Sequence, residues 1–451
     1  MLLALLACSL FRQEVQVTSV RDYPEPYRST GGDVVIVVLD TLRADHLSQY
    51  GYPLDTSPAL ASFAATATLY TQAWAPSPWT VPSTAAILTG LHPLRHQLRH
   101  PGDVLPEAID TLPEQFRRAG WRTAAYSHNV SVAPKHALDQ GFDQFTRNTG
   151  KVLGYPHAGR MTRAAKAWIA EQPGPFFLYL QPMNCHGPYK VPSERRDDVL
   201  GRSPSTAFEY YGPVMRKILK EGKLSAREKI TDRHLRSLQE QYDTAIRYTT
   251  GEVAELFDAL RAAGRYDAAT IVLTADHGEE MFEHGGFSHG YSLHREVLSV
   301  PLMVKLPGQS EGRQEHAPVS LVDIAPTVLA ANGIDVPPLD GLPLGQVGER
   351  SLVFDINWPR RIVGQALLEG GFKLLSIKQD YTGRENATLL YDTLLDPGET
   401  QDLAATMPEK VTAMSSRLSV LASGLVGHIE PHNVLSEMDQ AQLEALGYLE
   451  E

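Results

Sequence analysis

Cysteine is nearly absent: the 451 residues include two, Cys8 and Cys185. A disulfide framework is therefore excluded, and no C-x-x-C pair is available for a zinc or redox motif. Positive charge is also short, with 41 Lys and Arg against 53 Asp and Glu, a formal net charge of −12. That balance argues against nucleic acid, whose binding rests on clustered cations that displace counterions. An acidic surface does not draw in an anionic ester either, so any attraction must come from the site itself. Internal repeats and low-complexity tracts are missing. What remains is ordinary globular composition, 43% hydrophobic and 21% charged, in a chain long enough for a large core and more than one domain.

The opening MLLALLACSL is apolar but far short of the about 20 residues a membrane-spanning helix needs. It suits a clipped signal-peptide core. Leu5-Leu6-Ala7-Cys8 resembles a bacterial lipobox, in which Cys8 carries the lipid anchor. No Lys or Arg precedes the run, so a frayed or misassigned start fits the same residues. Residues 9–30, with RDYPEPYRST, are expected to form a tether.

From Gly31 the texture is that of a folded domain. Asp33-Val-Val-Ile-Val-Val-Leu39 is a continuous β-branched run, suited to a strand covered on both faces. Similar runs recur at Arg122–Tyr126, Phe176–Gln181, Thr270–Thr274 and Pro301–Lys305. Helix-like stretches lie between them, at Ser57–Ala67, Leu112–Ala119, Arg160–Glu171, Arg233–Ala263 and Leu321–Asn332. The alternation predicts an α/β domain over 31–345, a large mixed but mostly parallel sheet sandwiched by helices. The charged stretch 191–230 is expected to be a surface insertion beside the site. Residues 346–451 are expected to form a small C-terminal α+β subdomain. Its strands are Arg361–Leu368, Phe372–Ile377 and Ala387–Tyr391, followed by one or two terminal helices.

Open α/β sheets bind ligands beyond the carboxyl ends of their strands. Asp40 stands there after the first strand, and Asp276-His277-Gly278 after TIVLTA. Two acids and an imidazole make a plausible cation site, with Gly278 expected to allow a sharp turn. Taken singly, Asp40 equally suits a helix cap and His277 a turn. The third element is Pro78-Trp79-Thr80-Val81-Pro82-Ser83-Thr84, leading to Thr89-Gly90. A helix beginning after Pro82 would aim its N-terminus at whatever Thr80 holds, which suits an anion. The same segment also suits a Pro-primed helix start capped by Ser83.

Together these segments resemble the sulfatase family of the alkaline-phosphatase superfamily. The first marker is VVIVVLDTLRADHLSQYGY (34–52); the second is T-V-P-S-T with Thr89-Gly90, at the spacing of the family signature. Met183-Asn-Cys-His186-Gly-Pro-Tyr189 and the loop from Thr274 to His289-Gly290 follow. Val319–Thr327 and Tyr391–Glu399 complete the series, in order from about residue 33 to 403. The resemblance implies an alkaline-phosphatase-like fold and one divalent cation on Asp40, Thr80, Asp276 and His277. Mixed oxygen and imidazole donors suit Mn, Zn or Mg better than Ca. It also implies Thr80 as nucleophile. His186 and His289 would hold the anion's oxygens or protonate the leaving group, and His128 and Asn129 would join them in substrate binding.

The departures from the family pattern bear on the chemistry. Thr80 stands where sulfatases carry the cysteine or serine that becomes formylglycine, an aldehyde threonine cannot form. Thr84 replaces the signature arginine, Asp40-Thr41 replaces a pair of acids, and Ser127-His128-Asn129 replaces a G-K-W-H segment. The remaining set is similar to lipoteichoic acid synthase and phosphoethanolamine transferases, where threonine forms a phospho-enzyme. It also shares a half-site with two-metal phosphodiesterases, whose second ligand set is not identified here. The expected activity is hydrolysis or transfer of a phosphate or phosphonate ester outside the cytoplasm, in the periplasm or cell envelope. The alternatives are a sulfuric ester hydrolase working without formylglycine and a catalytically silent binding lipoprotein. Arg43, Asp45 and His284 are expected to be structural, and Cys185 a packed side chain.

Overall fold

A computed structural model describes residues 17–20, 31–147, 157–195, 231–358, 362–380, 385–427 and 432–433. The lipobox-like Cys8, nearly all of the 191–230 insertion and the chain beyond 433 lie outside them. Among the described residues, ten strands form one large sheet. Its centre is Val34–Val38, every residue buried, paired in parallel with Phe176–Gln181 on one side and Thr270–Thr274 on the other. Arg122–Ser127 and Gln144–Arg147 continue the parallel set outward. Beyond Thr270–Thr274 the direction reverses: Ser299–Lys305 is antiparallel to it and to Thr68–Trp74. Helices on both faces explain the unbroken apolar strands, because such a strand has no wet side to alternate toward. Each fully buried valine or isoleucine contributes roughly 1.5–3 kcal/mol relative to exposure.

The longest helix, Asp232–Ala262, starts at a capping box in which the Thr231 side chain accepts from His234. Its buried stripe includes Leu238, Tyr242, Ala245, Ile246, Val253 and Leu260. It packs against Ala158–Ala170 and carries Tyr242 beneath the carboxyl end of the central strand.

Leu352–Trp358, Ile362–Glu369, Phe372–Gln379 and Glu385–Asp392 form a four-stranded antiparallel sheet in chain order. The two-residue period of a strand sends its side chains two ways. Phe354, Ile356 and Leu375 join the main core, whereas Val353, Leu367, Leu374 and Leu390 meet Met414 and Leu418 of the helix Pro408–Leu425.

Three expectations are corrected. Residues 17–20, read as tether, form an edge strand antiparallel to Gln144–Arg147. The helix expected over Ser57–Ala67 shrinks to a 3-10 turn at Pro58–Leu60 and a single turn at Ala61–Ala64. Alanine-rich sequence favours helix, but the adjoining Thr68–Trp74, unrecognised from sequence, gains an antiparallel ladder with Ser299–Lys305, broken by a register shift between Val300 and Leu302, and tertiary pairing outweighs local propensity. Finally, the helix expected after Pro82 begins at Thr80 itself, with Trp79 as its N-cap. Proline in the first turn costs no intrahelical bond, so the helix absorbs Pro82. Ser83 is not the cap; its hydroxyl donates to the Ser77 carbonyl at 2.7 Å.

Candidate functional site

Four adjacent parallel strands deliver polar side chains to one place. In spatial order Arg122–Ser127 leads to Asn129, Phe176–Gln181 ends on Gln181, Val34–Val38 leads to Asp40, and Thr270–Thr274 leads to Asp276-His277. Asp40, Asp276 and His277 are fully buried, and their donor atoms lie within 4.8 Å of one another. Burial and the charge of Asp276 push the Asp40 carboxyl up to about 6, against the nearby His186 and His277. Burial raises Asp276 to about 6 as well. Two buried acids held side by side call for a compensating positive charge.

The hydrogen bonds define which atoms remain for a cation. Asp276 Oδ1 accepts from the backbone N–H of Thr41 at 3.2 Å and of His277 at 3.0 Å. Asp40 Oδ2 accepts from Asn129 at 2.6 Å and Gln181 at 2.9 Å, while Asp40 Oδ1 is buried with no partner. His277 Nδ1 lies 2.9 Å from the Gly278 carbonyl, which can only accept. The proton therefore sits on Nδ1, and Nε2 presents its lone pair to the cluster. An orphaned carboxylate oxygen, a second acid and a bare imidazole nitrogen fit a divalent cation.

Thr80 is the first residue of a fully buried helix, Thr80–Thr89. Its Oγ1 is 3.2 Å from His277 Nε2 and accepts from Asn129 Nδ2 at 3.2 Å. The helix dipole adds positive potential at this end, where an anionic group would be stabilised. Gly278 has a different role from the one expected. Its φ is not positive; instead a Cβ there would stand 2.0 Å from the Glu296 carbonyl oxygen. The backbone approaches closely at 278, and only glycine permits it. Left-handed φ falls instead at Thr41, at 61°, next to Asp40. The Thr41 carbonyl accepts from the buried Tyr242 hydroxyl at 2.7 Å, and that hydroxyl accepts the Arg43 N–H at 2.8 Å.

His186 and His289 stand beside the cluster. The His289 ring centroid is 4.4 Å from His277 and 5.0 Å from His186. Glu279, itself buried, accepts from His289 Nδ1 at 3.0 Å. His186 Nδ1 donates to the Gly187 carbonyl at 2.7 Å, leaving Nε2 buried without a partner. Asn129 joins the cluster directly. His128 instead neighbours His157 and Arg160; burial, with those two neighbours, lowers its pKa to about 3, so it is uncharged. Arg43 pairs with Asp45 and Glu283, and His284 with Glu296. Burial pushes the Cys185 thiol up to about 12, which suits packing, and its carbonyl accepts the Thr41 hydroxyl. The sequence reading overlooked Gln181, Glu279, Tyr179 and Tyr242. Gln181 had a visible signal, a polar residue ending the apolar strand FFLYLQ.

A family model described as Sulfatase matches residues 32–334. Arylsulfatase K of Xenopus laevis is 25% identical over 404 residues, 78% of this chain and 75% of that one. The ulvan-active sulfatase of Formosa agariphila is 23% identical, over 86% of this chain and 79% of its own length. Among solved structures, the phosphonate monoester hydrolase of Agrobacterium radiobacter superposes with a TM-score of 0.69 at 18% identity. That match covers 90% of this chain and 100% of the hydrolase. A 2-O GAG sulfatase superposes with a TM-score of 0.71 at 17% identity, covering 90% and 95%.

Proposed function

The chain belongs to the sulfatase family of ester hydrolases, and from that premise we propose that it cleaves a phosphate or phosphonate ester with Thr80 as nucleophile. The observation that carries this reading is the Thr80 hydroxyl, 3.2 Å from His277 Nε2 at a helix N-terminus. Threonine cannot supply the aldehyde hydrate that formylglycine brings to sulfate esters, so its own oxygen must attack. A divalent cation held by Asp40, Asp276, His277 and Thr80 would lower the hydroxyl's pKa and offset charge on the anion.

The chain's own groups supply the remaining steps. Asn129, which donates to Thr80 Oγ1 at 3.2 Å and to Asp40 Oδ2 at 2.6 Å, holds the nucleophile against the cluster. Thr80 Oγ1, having lost its proton to solvent, forms a bond to phosphorus as the ester oxygen leaves in line. His289, aligned by Glu279, or His186 gives that oxygen its proton, a contribution of about 100- to 10,000-fold. Water, or another alcohol, then attacks the phosphothreonine, releasing the product and restoring the hydroxyl. The lipobox-like Cys8 supports export and anchoring at the cell envelope.

A second reading takes sulfate esters as substrate by direct displacement at sulfur. It is favoured by relatives named as arylsulfatases. One assay separates them: the protein, loaded in turn with Mn, Zn and Mg, acts on an aryl phosphonate monoester, an aryl phosphodiester and an aryl sulfate. The proposal expects the phosphorus esters to be turned over faster, and Thr80→Ala to abolish that turnover. A dominant sulfatase rate would favour the second reading. Stoichiometric metal binding without any turnover would favour a silent binding protein.

A further inference from the structure

Gln181 lies at the floor of the cluster without any assigned part in it. Its amide orientation is settled by its neighbours. The Tyr179 hydroxyl donates to Gln181 Oε1 at 2.6 Å, so Nε2 faces the acids; the flipped amide would set an oxygen against two carboxylates. From that position Nε2 donates to Asp40 Oδ2 at 2.9 Å and to Asp276 Oδ2 at 3.2 Å. One NH2 group thus spans both acids, and it is fully buried, as is Tyr179. Its carbonyl is occupied by Tyr179, so Gln181 is placed as a support for the acids and not as a ligand.

The consequence concerns which oxygens are free. With Asn129 and Gln181 both on Asp40 Oδ2, that carboxyl cannot rotate without breaking two hydrogen bonds, and Oδ1 is left bare. Asp276 is pinned in the same way, two backbone N–H groups on Oδ1 and Gln181 on Oδ2. A lysine here would cancel one of the two charges, and another acid would add a third. A neutral donor holds both carboxylates in place and preserves their charge.

Resting on the cation reading of the site, we propose that Gln181, locked by Tyr179, is the positioning residue that preorganises Asp40 and Asp276 for a divalent cation. Partners in the outer shell of metal sites commonly set affinity by about 10- to 100-fold. The effect expected here is of that size and is read without turnover.

The test is a cobalt(II) titration of the metal-stripped full-length protein, followed by visible d–d absorption, in wild type, Gln181→Leu and Tyr179→Phe. The expected result is a dissociation constant raised about 10- to 100-fold and an altered band in Gln181→Leu. Tyr179→Phe, which frees the amide to turn, should shift both in the same direction by less. Circular dichroism reports folding; should Gln181→Leu not fold, Tyr179→Phe alone decides. Wild-type affinity and band shape in the folded variants would overturn the proposal, even if their metal-free melting temperatures fall. A wild-type protein that binds no cobalt would instead overturn the cation site itself.

Discussion

Replacing Asp40 by asparagine should make the metal-free protein more stable at neutral pH, although it removes a proposed ligand. Asp40 Oδ2 accepts from Asn129 and Gln181, and Oδ1 has no partner. An asparagine can keep its carbonyl toward both donors and place its NH2 where Oδ1 stood, so no hydrogen bond is lost. What disappears is a buried negative charge beside Asp276. The Asp40 carboxyl is raised to about 6 in the folded chain against about 3.9 unfolded. A raised acid pKa means that the folded state prefers the proton. Its cost is absent below about pH 4, grows between about 4 and 6, and is full above that. At about 1.4 kcal/mol per pH unit the full cost is about 3 kcal/mol. With an unfolding entropy of about 2.1 cal/mol/K per residue, 451 residues turn this into a rise of about 3 °C. The assay is differential scanning calorimetry of chelator-treated wild type and Asp40→Asn from pH 4.5 to 7.5. The gap should be smallest at the acid end, about a third of its full size, and open toward pH 7.5, while added Zn or Mn raises only the wild type's midpoint. A variant that melts lower than metal-free wild type at pH 7.5, or a gap independent of pH, would refute the reasoning.

Further outcomes follow from single contacts. Tyr242→Phe strips a buried hydroxyl from the Thr41 carbonyl and the Arg43 N–H. Each unsatisfied group costs about 1–3 kcal/mol, readable by urea denaturation. Lys373 and Glu399 pair at 2.8 Å with both side chains fully buried, so Lys373→Met should cost about 3–5 kcal/mol by leaving the buried acid only His294 and the Arg295 N–H as partners. His289→Ala should lower kcat on an aryl phosphonate by about 100- to 10,000-fold, with less effect on a substrate whose leaving group needs no proton. Gly278→Ala should abolish metal binding or folding, because its Cβ would meet the Glu296 carbonyl oxygen at 2.0 Å; a folded variant with full cobalt affinity would count against that close approach.

Much of this was readable from the chain because the strands that carry the site are unambiguous. VVIVV, FFLYLQ and TIVLT are buried on both faces, and the polar residue after each must stand at the sheet's carboxyl edge. Asp40, Asp276 and His277 were legible for that reason, and Thr80 through its motif. Thr68–Trp74 was not, since its alanine-rich approach and half-exposed Thr71 and Gln72 give no clean period; pairing with Ser299–Lys305, Arg313–Glu315 and Val319–Ser320 defines it. Tyr242 was hidden for another reason. It is one of many apolar positions on a 31-residue helix, and nothing local tells that its hydroxyl reaches Thr41. The role of Gly278 was equally illegible, because the carbonyl it must approach belongs to Glu296, brought there by the fold.

The central claim is that the oxygen of Thr80 becomes bonded to the substrate's phosphorus. Acid-quenching the metal-loaded protein during turnover of an aryl phosphonate monoester, followed by peptide mass spectrometry, reads this directly. The account predicts one phosphonyl group on the peptide holding Thr80, absent from Thr80→Ala, which turns nothing over. Turnover that persists in Thr80→Ala, or an adduct found on another residue, would contradict it.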